Sequence, residues 1–510
     1  MPPNLHTRIH QGLKSDVGLL VVVACARVLL HIFTNGRYGF HRDELLTLDN
    51  ARHLAWGYVV YPPVTPFLAR AELTLFGNSL VGFRAFPAIS QGIVMLLTGL
   101  SARALGGGRF AQIVAALAVS TSGHALVSGW FLSYSTFDYL WWTVVAYTVI
   151  RLMKSDNPRW WLAIGGAIGF GMLTKYTIGC LVLGVVGGAI LTPARRCLKS
   201  PWLWCGVAIS LVLVAPNFFW QVEHHFISLD FVRRIHTRDI GWGWTDYFLP
   251  NQLWKPASPV TVPLWLAGLW FVFARPEGRR FRILGWMYVI PLAVLFLVRG
   301  RDYYLAGAYP MLFAAGAVWA ETWLRTLSAG WAATVRQAAW YSLFFTGVST
   351  AAATLPIAPL NSAWWHIADR INGGNFGYQL GWPQLVETVA RVRDTLPPQD
   401  LGSLRILTVD DGQTGAVNLY GPRYRLPSAI SGMNSNWLRG YGEPPPRTVI
   451  TLGFDRHFLE QNFESCVLAG NLTDRLILEN KSINWNTEIY VCRNLHQAWP
   501  EFWQRLQSYG

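Results

Sequence analysis

Apolar runs of membrane-crossing length recur through the first 360 residues, at 17–34, 83–104, 109–131, 137–153, 160–176, 177–193, 202–220, 258–274, 281–298, 303–323 and 337–358. Crossing a bilayer takes about 20 predominantly apolar residues, and in lipid a helix satisfies its own backbone hydrogen bonds. The expectation is a polytopic α-helical membrane protein with roughly 11–13 spans. Segment 57–76 is also apolar, but Pro62, Pro63 and Pro66 suit a broken interfacial helix better than a span. The 26 Trp and 19 Tyr fit side chains that settle at the membrane–water boundary. No small-x-small site follows 17–33, so the first span reads as a retained anchor.

The positions of the cations give an orientation. With Arg8 and Lys14 inside, alternate turns carry Arg103 and Arg109, then Arg151, Lys154 and Arg159, then Arg195, Arg196 and Lys199, then Arg275, Arg279, Arg280 and Arg282. These are the expected cytoplasmic loops. They account for most of the net charge of +14, which therefore points to anionic lipid head groups and not to nucleic acid. The opposite side receives the loop after the first span, the turn before Asp138, the segment 221–257, the turn 299–302 and everything beyond 360.

From residue 361 to 510 the apolar runs shorten to strand length, as in Leu404–Asp410, Thr448–Gly453 and Glu488–Cys492, alternating with helix-like stretches such as Gln384–Arg393 and His457–Phe463. A C-terminal extracytoplasmic α/β domain is expected there, after a membrane domain over 1–360. Cys25, Cys180, Cys197 and Cys205 lie in or beside spans and read as apolar fillers. Cys466 and Cys492 fall in the exported part, where a disulfide is permitted but not required. The sequons at Asn471 and Asn480 are short matches of the kind chance supplies.

Acidic residues are scarce near the spans, which makes those at the outer edge conspicuous. Asp43 and Glu44 stand together just after the first span, in GFHRDELLTLD, and Asp138 opens another in FLSYSTFDYLWW. A charge at the bilayer core costs roughly 2.5–3.5 kcal/mol, so such acids face a cavity or a substrate, or else cap a helix. On the same side stand Lys175 in LTKYT and the turn RGRDYYLAGAYP with Arg299, Arg301 and Tyr304. A base opposite cations suits a hydroxyl that loses its proton while an anionic group departs. Glycosyl transfer from a lipid phosphate meets that description: phosphate leaves without a general acid, unlike glycoside hydrolysis, and one carboxylate takes the acceptor proton. Arg, Lys or a divalent cation would offset the charge on the leaving phosphate. A single base opposite the leaving group implies inversion.

The stretches DELLTLDNARHLAWGYVVYPPVTPFL, FDYLWW, LTKYT, APNFFWQ, RDYYLAGAYP and NLYGPRYRLPSAISGMNSNWLRGYG, in this order, resemble the bacterial dolichyl-phosphate-mannose protein mannosyltransferase-like family, relatives of the lipid A aminoarabinose transferase. The resemblance implies a class C glycosyltransferase in the bacterial inner membrane, with a polyprenyl-phosphate sugar donor, a lipid, glycan or protein acceptor, and a catalytic Asp in the first external loop. By position, Asp43 resembles the general base or acceptor-orienting carboxylate with Glu44 beside it, Asp138 the second carboxylate that orients acceptor or metal, and Arg301 and Tyr304 the turn that holds the donor phosphate. Adjacent helical residues point about 100° apart, so Asp43 and Glu44 should not share a role. The Pro-Pro turn departs from relatives that place His or Lys before it: here Tyr61 stands there, able to hydrogen-bond a phosphate but bringing no charge. Neutralisation then falls more to Arg299, Arg301 or Lys175.

Each residue also has a plainer reading. Asp138 fits a helix cap at the membrane edge, and Lys175 a side chain that snorkels to the interface. Glu223, His224 and His225 could ligate a metal or line a wet loop. Asn434 and Asn436 fit turn caps or an acceptor-facing surface. At the level of the whole chain, a polytopic transporter would share the spans and outer acids but calls for paired broken helices in two corresponding halves, which the sequence does not show, and a non-catalytic envelope scaffold leaves the ordered outer acids and cations unexplained.

Overall fold

Helices occupy the apolar runs. The structure, a computed structural model, describes residues 15–510; Arg8 and Lys14, used above for orientation, lie outside the described residues. Among the described residues four helices are long and apolar enough to cross a membrane by length and composition: Asp16–Thr34, Gly82–Ala104, Pro201–Glu223 and Pro276–Leu297. A fifth arises if Ile178–Leu191 and Pro193–Lys199, bent by 107°, form one span. The run at 109–131 is interrupted: its helix stops at Ser120, and Ser122 caps a short new helix, its Oγ accepting from the Ala125 amide. Segment 221–257 contains the helices Ile227–Gly241 and Phe248–Asn251.

The chain divides into two compact units, one of residues up to Asn35, Arg84–Glu223 and His236–Ile357, the other of Gly36–Phe83, His224–Ile235 and Ala358–Gly510. The second unit thus adds two segments from the first 360 residues to the C-terminal region.

The first unit is a helical bundle whose interior is built from small residues and aromatics. Gly165 on helix Trp160–Met172 meets Gly206 on helix Pro201–Glu223, and Gly268 meets the backbone of helix Tyr309–Leu324. A Cβ at Gly165 or Gly268 would collide with the opposing backbone, so the close approach that drives helix association in lipid requires glycine there. At one end three of the predicted cytoplasmic turns meet: Asp156 accepts from Arg196 at 2.8 Å and pairs with Arg280, while Arg151 lies 4.8 Å over Trp160.

The second unit holds a five-stranded mixed sheet: β1 (Leu404–Thr408), β2 (Ala429–Ser431), β3 (Thr448–Leu452), β4 (Phe463–Asn471) and β5 (Glu488–Leu495), in the order β2-β1-β3-β5-β4. β1 is parallel to β2 and β3, and β5 is antiparallel to β3 and β4. Helix Asp411–Tyr420 makes the β1-to-β2 crossover; Asp410 starts it by accepting from the amides of Gly412 (2.7 Å) and Gln413 (3.3 Å). Phe463, Tyr490, Trp499, Phe502 and Trp503 fill the core on one side of the sheet. Cys466 and Cys492 stand opposite each other in the β4–β5 ladder and form a disulfide.

Candidate active site

In the second unit the DELLTLDN stretch forms helix Arg42–Arg52, and His41 caps it: the ring Nδ1 accepts from the Asp43 amide at 3.1 Å, and Glu44 Oε2 accepts from the His41 amide at 2.8 Å. This capping box separates the two acids. Glu44 is fully buried and closes the cap, whereas the Asp43 side chain is 55% exposed, 3.9 Å from the His41 ring. A carboxylate in the first helical turn is also stabilised by the helix dipole.

The rest of the helix enters a buried polar network. Asn50 Nδ2 donates to the Tyr61 hydroxyl at 2.8 Å, and Thr47 Oγ1 lies 3.2 Å from the same oxygen. Tyr61 is 3% exposed, and burial raises its pKa well above the usual phenol value. The structure therefore places Tyr61 as a strut inside the unit. Asp49, buried, accepts from Asn418 at 2.9 Å and pairs with Arg439, whose Nη2 donates to Asn50 Oδ1 at 2.5 Å. Arg439 also donates to Asn436 Oδ1 at 2.7 Å, and Asn436 and Asn434 donate to Asp411 at 2.9 and 2.5 Å. Burial first, and the neighbouring Asp410 next, push the Asp411 carboxyl up to about 7. Gly415 lets the Asp411–Tyr420 helix approach helix Arg42–Arg52, since a Cβ there would stand 2.5 Å from the Leu45 carbonyl oxygen. The asparagines of NLYGPRY and MNSNW thus serve as network donors.

In the first unit Ser133 caps helix Tyr134–Ser155, so Asp138 is no cap: it lies one turn further in, buried, accepting from Thr177 Oγ1 at 3.2 Å. Lys175 does not snorkel. It is 7% exposed, its Nζ sits 4.2, 4.9 and 5.2 Å from the ring centres of Tyr304, Tyr303 and Tyr134, and it donates to Ser135 Oγ at 3.4 Å. Three tyrosine faces hold the ammonium by cation–π attraction, within electrostatic reach of Asp138. Among the described residues no carboxylate oxygen lies within 4.0 Å of it.

The two arginines of the late turn are already paired. Arg301 forms a two-point bridge to Asp239 (2.5 and 2.8 Å) and stacks 5.0 Å over Trp244. Arg299 bonds Asp246 at 2.7 Å, and its φ is 52°. Buried Asp302 takes Lys255 at 2.7 Å and Asn251 at 2.5 Å. His124, stacked on Tyr303 at 5.5 Å, joins the same region; neither it nor Asp239 is singled out by the sequence. Among the described residues no group of three or more His, Cys, Asp or Glu side chains could hold a metal ion, and Glu223, His224 and His225 form none.

ArnT from Cupriavidus metallidurans, in its apo crystal structure, superposes with a TM-score of 0.59 over 94% of this chain and 98% of its own, at 17% identity. The same protein bound to undecaprenyl phosphate gives 0.56 over 92% and 97%, at 15% identity. The chain has the ArnT fold. A family model described as dolichyl-phosphate-mannose-protein mannosyltransferase matches residues 60–220. The lipid A galacturonosyltransferase RgtD of Rhizobium johnstonii is 24% identical over 290 residues, 55% of this chain and 60% of that protein. The lipopolysaccharide core galacturonosyltransferase RgtB of the same organism is 27% identical over 191 residues, 37% and 38% of the two chains. The chain thus spans less than two thirds of either relative. The resemblance read from the motifs agrees with the family model, the relatives and the ArnT fold alike.

Proposed function

We propose that the protein is an integral glycosyltransferase of the bacterial inner membrane that moves a sugar from a polyprenyl-phosphate donor to an acceptor hydroxyl outside the cytoplasm, with inversion at the anomeric carbon. The observation that carries this reading is Lys175: a buried ammonium in a cage of tyrosines, without a carboxylate partner among the described residues, in a fold whose ArnT example was crystallised with undecaprenyl phosphate.

Transfer makes two demands. As the acceptor oxygen bonds to the anomeric carbon, its proton must go to a base, and the electron pair of the breaking bond must settle on the departing phosphate. Asp43 offers an exposed carboxylate for the first. Lys175 offers charge for the second, in a water-poor setting where it acts most strongly. Arg301 and Arg299 spend their charge on Asp239 and Asp246, so their part is to shape the turn that carries Tyr303 and Tyr304 onto Lys175. Asp138 holds Thr177 and orients the loop that bears Lys175.

The names of the two Rhizobium relatives make lipid A, lipopolysaccharide core and a uronic acid the first acceptors and donor sugar to try. The experiment is transfer in proteoliposomes: purified protein, polyprenyl-phosphate galacturonate with a labelled sugar, and lipid A or core acceptors. Label passing to acceptor, with free polyprenyl phosphate released in equal amount, is the expected result. Donor left intact with every acceptor and every polyprenyl-phosphate sugar tried would refute the proposal.

A further inference from the structure

A cavity of about 440 Å³ opens in the second unit beside the buried network, lined by residues of helix Arg42–Arg52 and of the segments that flank β1 and β2. Its volume falls within the about 300–1,000 Å³ usual for small-molecule sites. Its charge is one-sided. Among its lining residues the one acid is Asp49, whose oxygens are taken by Asn418 and Arg439. Against it stand Arg52 and Arg405, for which no carboxylate oxygen lies within 4.0 Å among the described residues. Arg52 is held in place by the Asn418 carbonyl at 2.8 Å and Asn78 at 3.4 Å, and Arg405 by the carbonyl of Leu404 at 3.0 Å. His53 also lines the cavity, its Nδ1 2.9 Å from the Asp49 carbonyl.

Val417, Leu426 and Ile430 add apolar surface to the lining. Gly442, at a φ of 87°, leaves the approach to Arg405 open, since a Cβ there would stand 3.3 Å from its Nε. Each guanidinium is held through its Nη groups and, among the described residues, has no carboxylate oxygen within 4.0 Å; the N–H donors left over suit phosphate or carboxylate. Flat apolar walls suit the C–H faces of a sugar ring, and the hydroxyls find Asn436 and Ser431 nearby.

We propose that this cavity binds an anionic saccharide, a sugar that carries a phosphate or a carboxylate, and that it is the docking site for the head group of the acceptor. The acceptor assignment rests on the transferase reading above; the saccharide site does not. Arg405 recognises the anion, and Arg52 adds a second positive charge to the lining.

Calorimetric titration of the full chain in detergent tests the site, with glucose 1-phosphate, glucuronate, glucose and inorganic phosphate as probes. At least one of the two anionic sugars binds at least tenfold more tightly than glucose and inorganic phosphate, and comparing the two tells phosphate from carboxylate. Arg405→Gln weakens that binding at least tenfold. Ser428→Trp, at the exposed rim, does the same by obstruction while keeping every charge. Lys175→Gln leaves it unchanged, which separates this cavity from the proposed donor site. Equal binding of glucose or inorganic phosphate, full affinity in Arg405→Gln, or loss only in Lys175→Gln overturns the inference. Because binding is read without turnover, a chain that binds the sugar through Arg405 but transfers nothing would count against the transferase reading alone.

Discussion

Lys175→Gln keeps much of the side chain's length but removes the charge from the tyrosine cage. The interaction exists in the bound donor and grows as charge builds on the departing phosphate, so both donor affinity and turnover should fall, by about 10- to 100-fold on the scale of a charge-assisted hydrogen bond. Lys175→Arg should recover part, because a planar guanidinium does not sit among three rings as an ammonium does. Donor titrations with thermal unfolding as a folding control check this; unchanged donor affinity in Lys175→Gln would move the role elsewhere. Arg301→Lys reads differently from what a bare phosphate ligand would give. Its partner is Asp239, so the variant should lose stability more than donor affinity, since Lys keeps the charge but not the two-point bridge. At Asp411 the sign of the pH dependence follows from burial. Its folded pKa, about 7, lies above its ordinary value of about 3.9, so the stabilisation is complete below that value and is lost as pH rises through 7. Unfolding temperature should therefore fall between pH 5 and pH 8, and Asp411→Asn should flatten the slope; an unaltered slope would show that Asp411 is not the titrating group.

At the scale of elements, helix Arg42–Arg52 explains why one short stretch carries so much signal. Its exposed first turn presents Asp43, and its buried face is tied by Asp49 and Asn50 to Arg439. Arg439→Ala would take the charged partner from the Asp49 carboxylate, 1% exposed, and leave it the Asn418 amide. A loss of about 3–5 kcal/mol is expected, read as a lower unfolding temperature and faster proteolysis within 358–510, and an unchanged melt would contradict the network. Strands β1, β3 and β5 were legible because they are buried runs of Leu, Ile and Val. β4 was not, because most of its residues are exposed on a sheet edge and show no alternation, and β2 is three residues long. The site was partly legible. Motif spacing singled out Asp43, Asp138 and Lys175 as candidates, whose roles are proposals, but not the pairing of Arg301 with Asp239, 62 residues apart, nor the burial of Glu44 and Tyr61 in hydrogen-bond networks. Such pairings depend on which faces meet, and a single sequence does not carry that.

For the whole molecule, the run lengths announced a helical membrane protein with a sheet-bearing C-terminal region, and the order of the motifs announced the ArnT fold. The division into units was less visible, because segments 36–83 and 224–235 join the C-terminal region only through tertiary packing. The proposed orientation predicts that, in a chain cleared of Cys25, Cys180, Cys197 and Cys205, an impermeant thiol reagent labels Gln461→Cys but not Glu277→Cys in spheroplasts; the reverse pattern would put Asp43 on the wrong side. The central claim, that this chain transfers a lipid-linked sugar with Asp43 as base, is tested most directly by single-turnover transfer in proteoliposomes with wild type and Asp43→Asn at equal insertion. Wild type should move labelled sugar from polyprenyl phosphate to acceptor with inverted configuration, and Asp43→Asn should do so at least about 100-fold more slowly with donor affinity unchanged. Transfer by Asp43→Asn at the wild-type rate, or retained configuration in the product, would contradict it.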